Sequence, residues 1–188
     1  MIVGIVLAAG LSRRMGQPKL LLPLGGKPLL RWSVEALLPL VGFVIVVTPP
    51  DDARIREALD GLSVRFVANP HPEAGQGTSI AAGAAALPSE TDAVVIALGD
   101  QPRLPADLVP SLLEALRRDG TAIAAPVYRG VQGTPVAFAA SVFDELRALD
   151  GDAGARAVVR RDPARVTRLE LDIDMPPDVD TPADYARL

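Results

Sequence analysis

The chain of 188 residues contains no cysteine and one histidine, His71. The first absence excludes disulfides and thiolate metal ligands. The second excludes a multi-histidine metal site and argues against a Ser/His triad, so His71 is expected in a solvated loop. Positive charge is not in excess either: 19 Lys and Arg face 23 Asp and Glu, a formal net charge of -4. That balance argues against a general nucleic-acid-binding surface, while leaving room for a small basic pocket. No apolar run approaches the ~20 residues needed to span a bilayer. The apolar start Ile2–Leu7 lacks the preceding basic residues of a secretory signal. These absences predict a cytoplasmic protein with no nucleic-acid partner and no membrane partner.

What is present is the composition of a globular domain, 49% hydrophobic and 22% charged. The length fits one domain spanning 1–188, with enough chain to bury a core. Near-continuous apolar runs at Ile2–Leu7, Val44–Val47, Arg65–Val67 and Ala93–Leu98 read as buried strands. Helical spacing falls between them, over Leu29–Leu38, Asp51–Leu59 and Thr78–Leu87. Ala106–Arg118 carries Leu108, Leu112, Leu113 and Leu116 on one stripe. Further strands are expected at Ala122–Pro126, Val136–Phe138 and Val166–Leu171, with a helix near Ser141–Leu149. Strand–helix alternation implies right-handed crossovers. The expected fold class is α/β: a single-domain, Rossmann-like, mostly parallel sheet sandwiched by helices. Ligands of such sheets bind beyond the carboxyl ends of the strands, where strand order reverses.

The loops at those ends carry unusual residues. After the first strand comes Leu7-Ala8-Ala9-Gly10-Leu11-Ser12-Arg13-Arg14-Met15-Gly16-Gln17-Pro18-Lys19. Its small residues permit close approach to the backbone, whose N–H groups can cradle phosphates. Arg14 and Lys19 add a planar fork and a point charge. A Walker A loop is excluded because leucine follows Lys19, and the G-x-G-x-x-G dinucleotide fingerprint is absent. The fourth strand ends in Leu98-Gly99-Asp100-Gln101-Pro102, which places a carboxylate where a hard cation could be held. An aspartate closing a strand also serves as a plain turn or cap residue. Asn69-Pro70-His71-Pro72-Glu73-Ala74-Gly75-Gln76-Gly77-Thr78-Ser79-Ile80 opens a helix, with Thr78 or Ser79 as its expected cap. Near the C-terminus Thr181 and Pro182 read as an N-cap with proline at the first helical position. Asp178 and Asp180 flank Val179 just before it, and residues two apart in extended chain share one side.

The first of these strings resembles the signature L-A-[AG]-G-x-S-x-R-M-G-x-x-K of the molybdenum-cofactor type nucleotidyltransferases. Gly99-Asp100-Gln101-Pro102 resembles the same family's G-D-x-P metal motif. Asn69, Pro70, Gly75, Ser79, Ile80 and Gly83 fit its N-P-x4-G-x3-S-[IL]-x2-G pattern. The C-terminal Asp178-Val179-Asp180-Thr181-Pro182-Ala183-Asp184 is similar to D-[IV]-D-T-P-E-D, with alanine where glutamate is usual. Gly151-Asp152-Ala153-Gly154-Ala155-Arg156 resembles an element of the molybdopterin cytidylyltransferases. Thr134 departs from the family, standing where histidine is usual, which leaves the acceptor open.

The resemblance implies an enzyme that moves a nucleoside monophosphate from a nucleoside triphosphate to a phosphorylated acceptor. It implies nucleotide binding by Leu7, Ala8, Ala9, Gly10, Arg14, Lys19, Gly75, Ser79 and Gly83. Lys19, Arg14 and Asp100 are the implied catalytic residues, and Arg156 the acceptor-binding one. Mg²⁺ is the implied cofactor, held by Asp100 and Asp180, with Asp178 the alternative to Asp180. Ala9 resembles the cytidylyl and adenylyl branch, which favours CTP, and the implied acceptor is molybdopterin. A transient contact with a molybdoenzyme or its maturation factor would follow. Competing readings are a transferase acting on a sugar 1-phosphate or another small phosphate, and a non-catalytic nucleotide-binding factor that delivers a cofactor.

Overall fold

The computed structural model describes residues 1–10, 12 and 15–187. Seven strands form the body of an eight-stranded sheet: β1 (Ile2–Leu7), β4 (Phe43–Thr48), β5 (Val64–Ala68), β6 (Ala93–Leu98), β7 (Ile123–Tyr128), β9 (Val136–Ala139) and β10 (Val166–Leu171). They lie in the order β10-β7-β9-β6-β1-β4-β5, and the two-residue β8 (Val131–Gln132) pairs with β7. All pairings among β5, β4, β1 and β6 are parallel, as is that of β10 with β7. β9 runs antiparallel between β6 and β7. The expected mostly parallel α/β sheet is what forms.

Continuous apolar strands form here because both faces of the sheet are covered. Val3 and Ile5 of β1, with Ile45, Val47, Val94 and Ile96, face one core layer. α3 (Gln76–Ala85), α5 (Phe143–Arg147) and α6 (Ala155–Arg161) cover that layer. Val6, Val44, Val46, Val95 and Ala97 face the other, under α1 (Leu29–Leu37), α2 (Ala53–Ala58) and α4 (Leu108–Asp119). In α4 the buried stripe is Leu108, Val109, Leu112, Ala115 and Leu116, while Leu113 lies half-buried at its margin. No helix among the described residues is long and apolar enough to cross a membrane.

Three expectations need correction. α3 begins at Gln76, two residues before the expected start, and Gly75 occupies its N-cap position. Neither Thr78 nor Ser79 caps it; Thr78 lies inside the first turn and its hydroxyl donates to the Gly75 carbonyl at 2.8 Å. A hairpin of β2 (Pro23–Leu24) and β3 (Lys27–Pro28) precedes α1 where no element is expected. α6 follows the 151–154 turn, as a turn-plus-helix reading of Gly151–Arg156 would have it, and buries Ala155, Val158 and Val159 of its seven residues. The C-terminal cap is present as expected. α7 (Pro182–Ala186) starts from a reciprocal capping box between Thr181 and Asp184.

Candidate active site

The chain leaves β1 toward β4 and β5 on one side, then returns to β6 on the other. β1 and β6 are therefore the pair at which strand order reverses, and Leu7 and Leu98 sit opposite each other at their carboxyl ends. The Gly99 N–H donates to the Leu7 carbonyl at 3.0 Å, and the Ser33 hydroxyl donates to the Gly99 carbonyl at 3.2 Å. A Cβ on Gly99 would stand 2.8 Å from Leu30 Cδ1 and 3.0 Å from the Leu7 oxygen. Glycine thus fits a tightly packed spot where a side chain would press on Leu30 and the Leu7 carbonyl, and the pinned backbone carries Asp100 to the crevice.

A cavity of about 530 Å³ opens at this point. Leu7, Ala9, Gly10 and Leu98 line its floor, Lys19, Asp100, Asp178 and Asp180 one end, and Glu73, Gly75, Gln76, Ser79 and Asp152 the rest. At the charged end the Lys19 ammonium donates to Asp100 Oδ2 at 2.5 Å and to Asp180 Oδ1 at 2.7 Å. All three side chains are largely shielded, Lys19 being 12% exposed, Asp100 14% and Asp180 31%. Burial alone would lower the Lys19 pKa, but the charge and hydrogen bonds of Asp100 and Asp180 outweigh it and raise it. Lys19 is therefore a fixed cation at neutral pH. Asp178 stands beside this trio. Its pKa is raised by burial first and by the Asp100 charge next, with a Gln101 hydrogen bond opposing both.

Five carboxylates thus line the cavity against one ammonium among the described residues. A polyphosphate entering that field needs accompanying cations. Among the described residues no three acidic side chains converge on one metal position. Two do converge, Asp100 and Asp180, and a cation already sits between them in the form of the Lys19 ammonium. A pair of oxygen donors suits Mg²⁺ or Mn²⁺, hard ions that complete their shell with water and phosphate oxygens.

The C-terminal carboxylates reach the site through Val179. Its side chain is fully buried against Met15 and Leu29, in a small apolar cluster that Leu22, Leu24 and Tyr185 flank. Its N–H donates to the Asp100 carbonyl at 3.3 Å. With Val179 directed into this cluster, Asp178 and Asp180 line the cavity. The α7 capping box and a hydrogen bond from the Tyr185 hydroxyl to the Pro23 carbonyl hold the segment downstream. The unexpected β2–β3 hairpin is therefore the seat of this C-terminal segment.

On the opposite wall Asn69, 1% exposed, acts as a brace. Its amide donates to Thr78 Oγ1 and Ser79 Oγ, both at 2.9 Å, and its carbonyl oxygen accepts from the His71 N–H at 2.9 Å. Gly75 adopts φ +121°, and a Cβ there would fall 2.5 Å from both the Gly151 carbonyl and Asp152 Oδ1. The 150–154 loop closes against α3 on this glycine, and Gly77 N–H donates to the Gly151 carbonyl at 2.8 Å.

Of the residues singled out from sequence, Leu7, Ala9, Gly10, Lys19, Gly75, Ser79, Asp100 and Asp180 line the cavity together. Ala8 is buried beside it, its N–H donating to the Val47 carbonyl at 2.8 Å. Gly83 is not among the residues lining the cavity; a Cβ there would meet Ile5 Cγ2 at 3.0 Å, which puts it at the contact of α3 with β1. Arg156 is exposed on α6, and its neighbour Asp152 lines the cavity instead. Arg14 lies outside the described residues. His71 is solvated as expected, its side chain 71% exposed. Sequence reasoning missed Val179, Gln76, Asp152 and Gln101. For Val179 a signal existed, an apolar residue between two acids, and Asp152 stands in the Gly151–Arg156 element quoted above; Gln76 and Gln101 have no signal of their own.

Comparison with known proteins places this geometry. Residues 4–166 match the family described as the MobA-like NTP transferase domain. The chain is 32% identical to the purine catabolism protein PucB of Bacillus subtilis, over 98% of this chain and 94% of that protein. It is 31% identical to nicotine blue oxidoreductase of Paenarthrobacter nicotinovorans, over 100% and 96%. The molybdenum cofactor cytidylyltransferase of Escherichia coli matches at 32% identity over 70% and 67%. The crystal structure of Rv0371C of Mycobacterium tuberculosis in complex with manganese superposes with a TM-score of 0.81 at 31% identity, covering 100% of this chain and 97% of that one. The chain belongs to the MobA-like NTP transferase family, and it is a nucleotidyltransferase.

Proposed function

We propose that the enzyme transfers CMP from CTP to the phosphate of molybdopterin, releasing pyrophosphate, with Mg²⁺ as cofactor. The observation that carries this reading is the placement of Lys19 between Asp100 and Asp180, at the strand pair where the sheet reverses. The E. coli cytidylyltransferase match supports both the nucleotide and the acceptor. The manganese complex of Rv0371C supports a divalent ion.

The acceptor phosphate is a nucleophile at neutral pH, so the step requires no general base. Its oxygen forms a bond to the α-phosphorus of CTP as the bond to the pyrophosphate oxygen breaks, and pyrophosphate departs with the electron pair. Catalysis then rests on alignment and on neutralising oxygens. Lys19, fixed as a cation, covers the α-phosphate, and Arg14 covers the departing pyrophosphate. Asp100 and Asp180 would hold the divalent ion, which would supply charge neutralisation to the phosphates. Ala9 and Gly10 let the nucleotide lie against the backbone of the first loop. Gly75 and Ser79 form the wall for the base, with Asn69 holding the Ser79 hydroxyl.

Single-turnover kinetics of Lys19→Gln and Asp100→Asn test the assignment. Each should lower turnover by 10²-fold or more, on the scale of losing one charge-stabilising group, while far-UV circular dichroism stays that of the parent. Near-parental turnover in either variant would remove that residue from the mechanism.

A further inference from the structure

Gln101 is 1% exposed, and both the nitrogen and the oxygen of its buried amide have a partner. Its Nε2 donates to Asp178 Oδ1 at 2.6 Å. Its Oε1 accepts from the Thr134 hydroxyl at 2.5 Å. The Thr134 carbonyl in turn accepts from the hydroxyl of Tyr128, at the end of β7, at 3.0 Å. The two ends of the amide fix each other. A carboxylate only accepts, so Nε2 must face Asp178, and Oε1 is then left for the Thr134 hydroxyl. Thr134, which stands where the resembling family has histidine, is thereby committed to an internal bond.

This chain has a consequence for the carboxylates. Asp178 and Asp180 both line the cavity end that holds Lys19, but Lys19 bonds to Asp100 and Asp180. Asp178 is bonded to Gln101 instead. A half-buried carboxylate in that position without a donor would turn to the nearest cation. We propose that Gln101, fixed by Thr134, is a positioning residue: it holds Asp178 away from the cation position and leaves Asp180 as the partner of Asp100. The inference rests on the cation site proposed above. It also explains why two carboxylates, and not three, converge among the described residues.

The test uses the full chain and Mn²⁺ alone, read by the electron paramagnetic resonance signal of the free aqueous ion. Turnover is recorded separately. In Gln101→Leu, Asp178 loses its donor and joins the cation position, so Mn²⁺ affinity should rise about three- to tenfold, a fraction of what a hydrogen bond to a charged group contributes. Turnover should fall, because the ion is then misplaced. A general loosening of the site would weaken Mn²⁺ binding, so the opposite signs separate positioning from structural damage. The gain should vanish in Gln101→Leu/Asp178→Asn relative to Asp178→Asn. Thr134→Val should show part of it, and Thr134→Ser, which keeps the hydroxyl, should return the parental affinity. Thermal unfolding confirms that each variant is folded; if Gln101→Leu is not, Thr134→Val carries the test.

Unchanged or weaker Mn²⁺ binding in the folded variant overturns the proposal, as does a gain that persists without Asp178. Asp100→Asn separates the two readings. If it binds Mn²⁺ like the parent, the cation site itself is wrong. If it loses Mn²⁺ while Gln101→Leu changes nothing, only the role of Gln101 falls.

Discussion

Val179→Ala tests whether the C-terminal segment completes the site through one apolar anchor. Val179 is fully buried, but against Met15 and Leu29 in a cluster apart from the two main core layers. Truncation removes two methyl carbons, worth ~1.6 kcal/mol at about 0.8 kcal/mol for each buried carbon. A residual cavity brings the loss to about 2 kcal/mol. Because the cluster is a satellite, the loss should fall on docking of the segment and not on global unfolding. An equilibrium shift of about 2 kcal/mol is about 30-fold in the ratio of docked to undocked segment. Hydrogen exchange reads this directly, since the Val179 amide donates to the Asp100 carbonyl only when docked. That amide and those of α7 should exchange about 30-fold faster, while amides of β1 and β6 keep their protection. Mn²⁺ binding should weaken in parallel, because Asp180 is carried on the same segment. Global destabilisation of about 2 kcal/mol, with Val179 exchange and Mn²⁺ affinity both unchanged, would refute the anchor.

Two further outcomes follow from packing and charge. Gly83→Ala places a Cβ 3.0 Å from Ile5 Cγ2 and 3.1 Å from Val47 Cγ2; it should lower stability by about 1–3 kcal/mol, read by thermal unfolding. If instead stability is kept and the KM for nucleotide rises, Gly83 belongs to the base wall that the family pattern implies. Glu145 accepts from Arg165 and from Arg161, the latter at 2.8 Å. The Arg165 hydrogen bond lowers its pKa from the ordinary 4.5 despite some opposing burial. A lowered folded-state pKa means stability present above 4.5 and lost as pH falls through the folded value. Glu145→Gln should therefore lose roughly 0.5–1 kcal/mol at neutral pH, and the difference from the parent should disappear in acid. A difference that grows in acid would contradict the sign.

Much of the sheet was legible from runs of apolar and β-branched residues. β1, β6 and β10 fall on the residues their apolar or β-branched runs predict, Ile2–Leu7, Ala93–Leu98 and Val166–Leu171. For β1 and β6 the reason is that side chains alternate between two covered faces, so every position is apolar. The β2–β3 hairpin escaped because a two-residue ladder has no period to detect. α6 shows only a short apolar face, with three of its seven side chains buried, so its start was legible from the Gly151–Gly154 turn and not from periodicity. The start of α3 moved because φ +121° at Gly75 turns the chain into the helix without a side-chain cap.

The site divides in the same way. Lys19, Asp100 and Asp180 were readable because each stands at a strand end or in a long motif. Their convergence on one ammonium was not readable, since it depends on Val179 docking on Met15 and Leu29 from the far end of the sequence. Gln101 was visible only as a letter between Asp100 and Pro102. Its partners, Thr134 and Asp178, lie on other elements, and no spacing rule joins them.

The most direct test of nucleotidyl transfer at this site is pyrophosphate release from the pure protein given Mg²⁺, molybdopterin and CTP, ATP, GTP or UTP in turn. Release is expected with CTP, dependent on molybdopterin and lost in Asp100→Ala. Release with a different triphosphate alone would contradict the base assignment. Binding of triphosphate without release from any of the four would contradict the proposed reaction with molybdopterin.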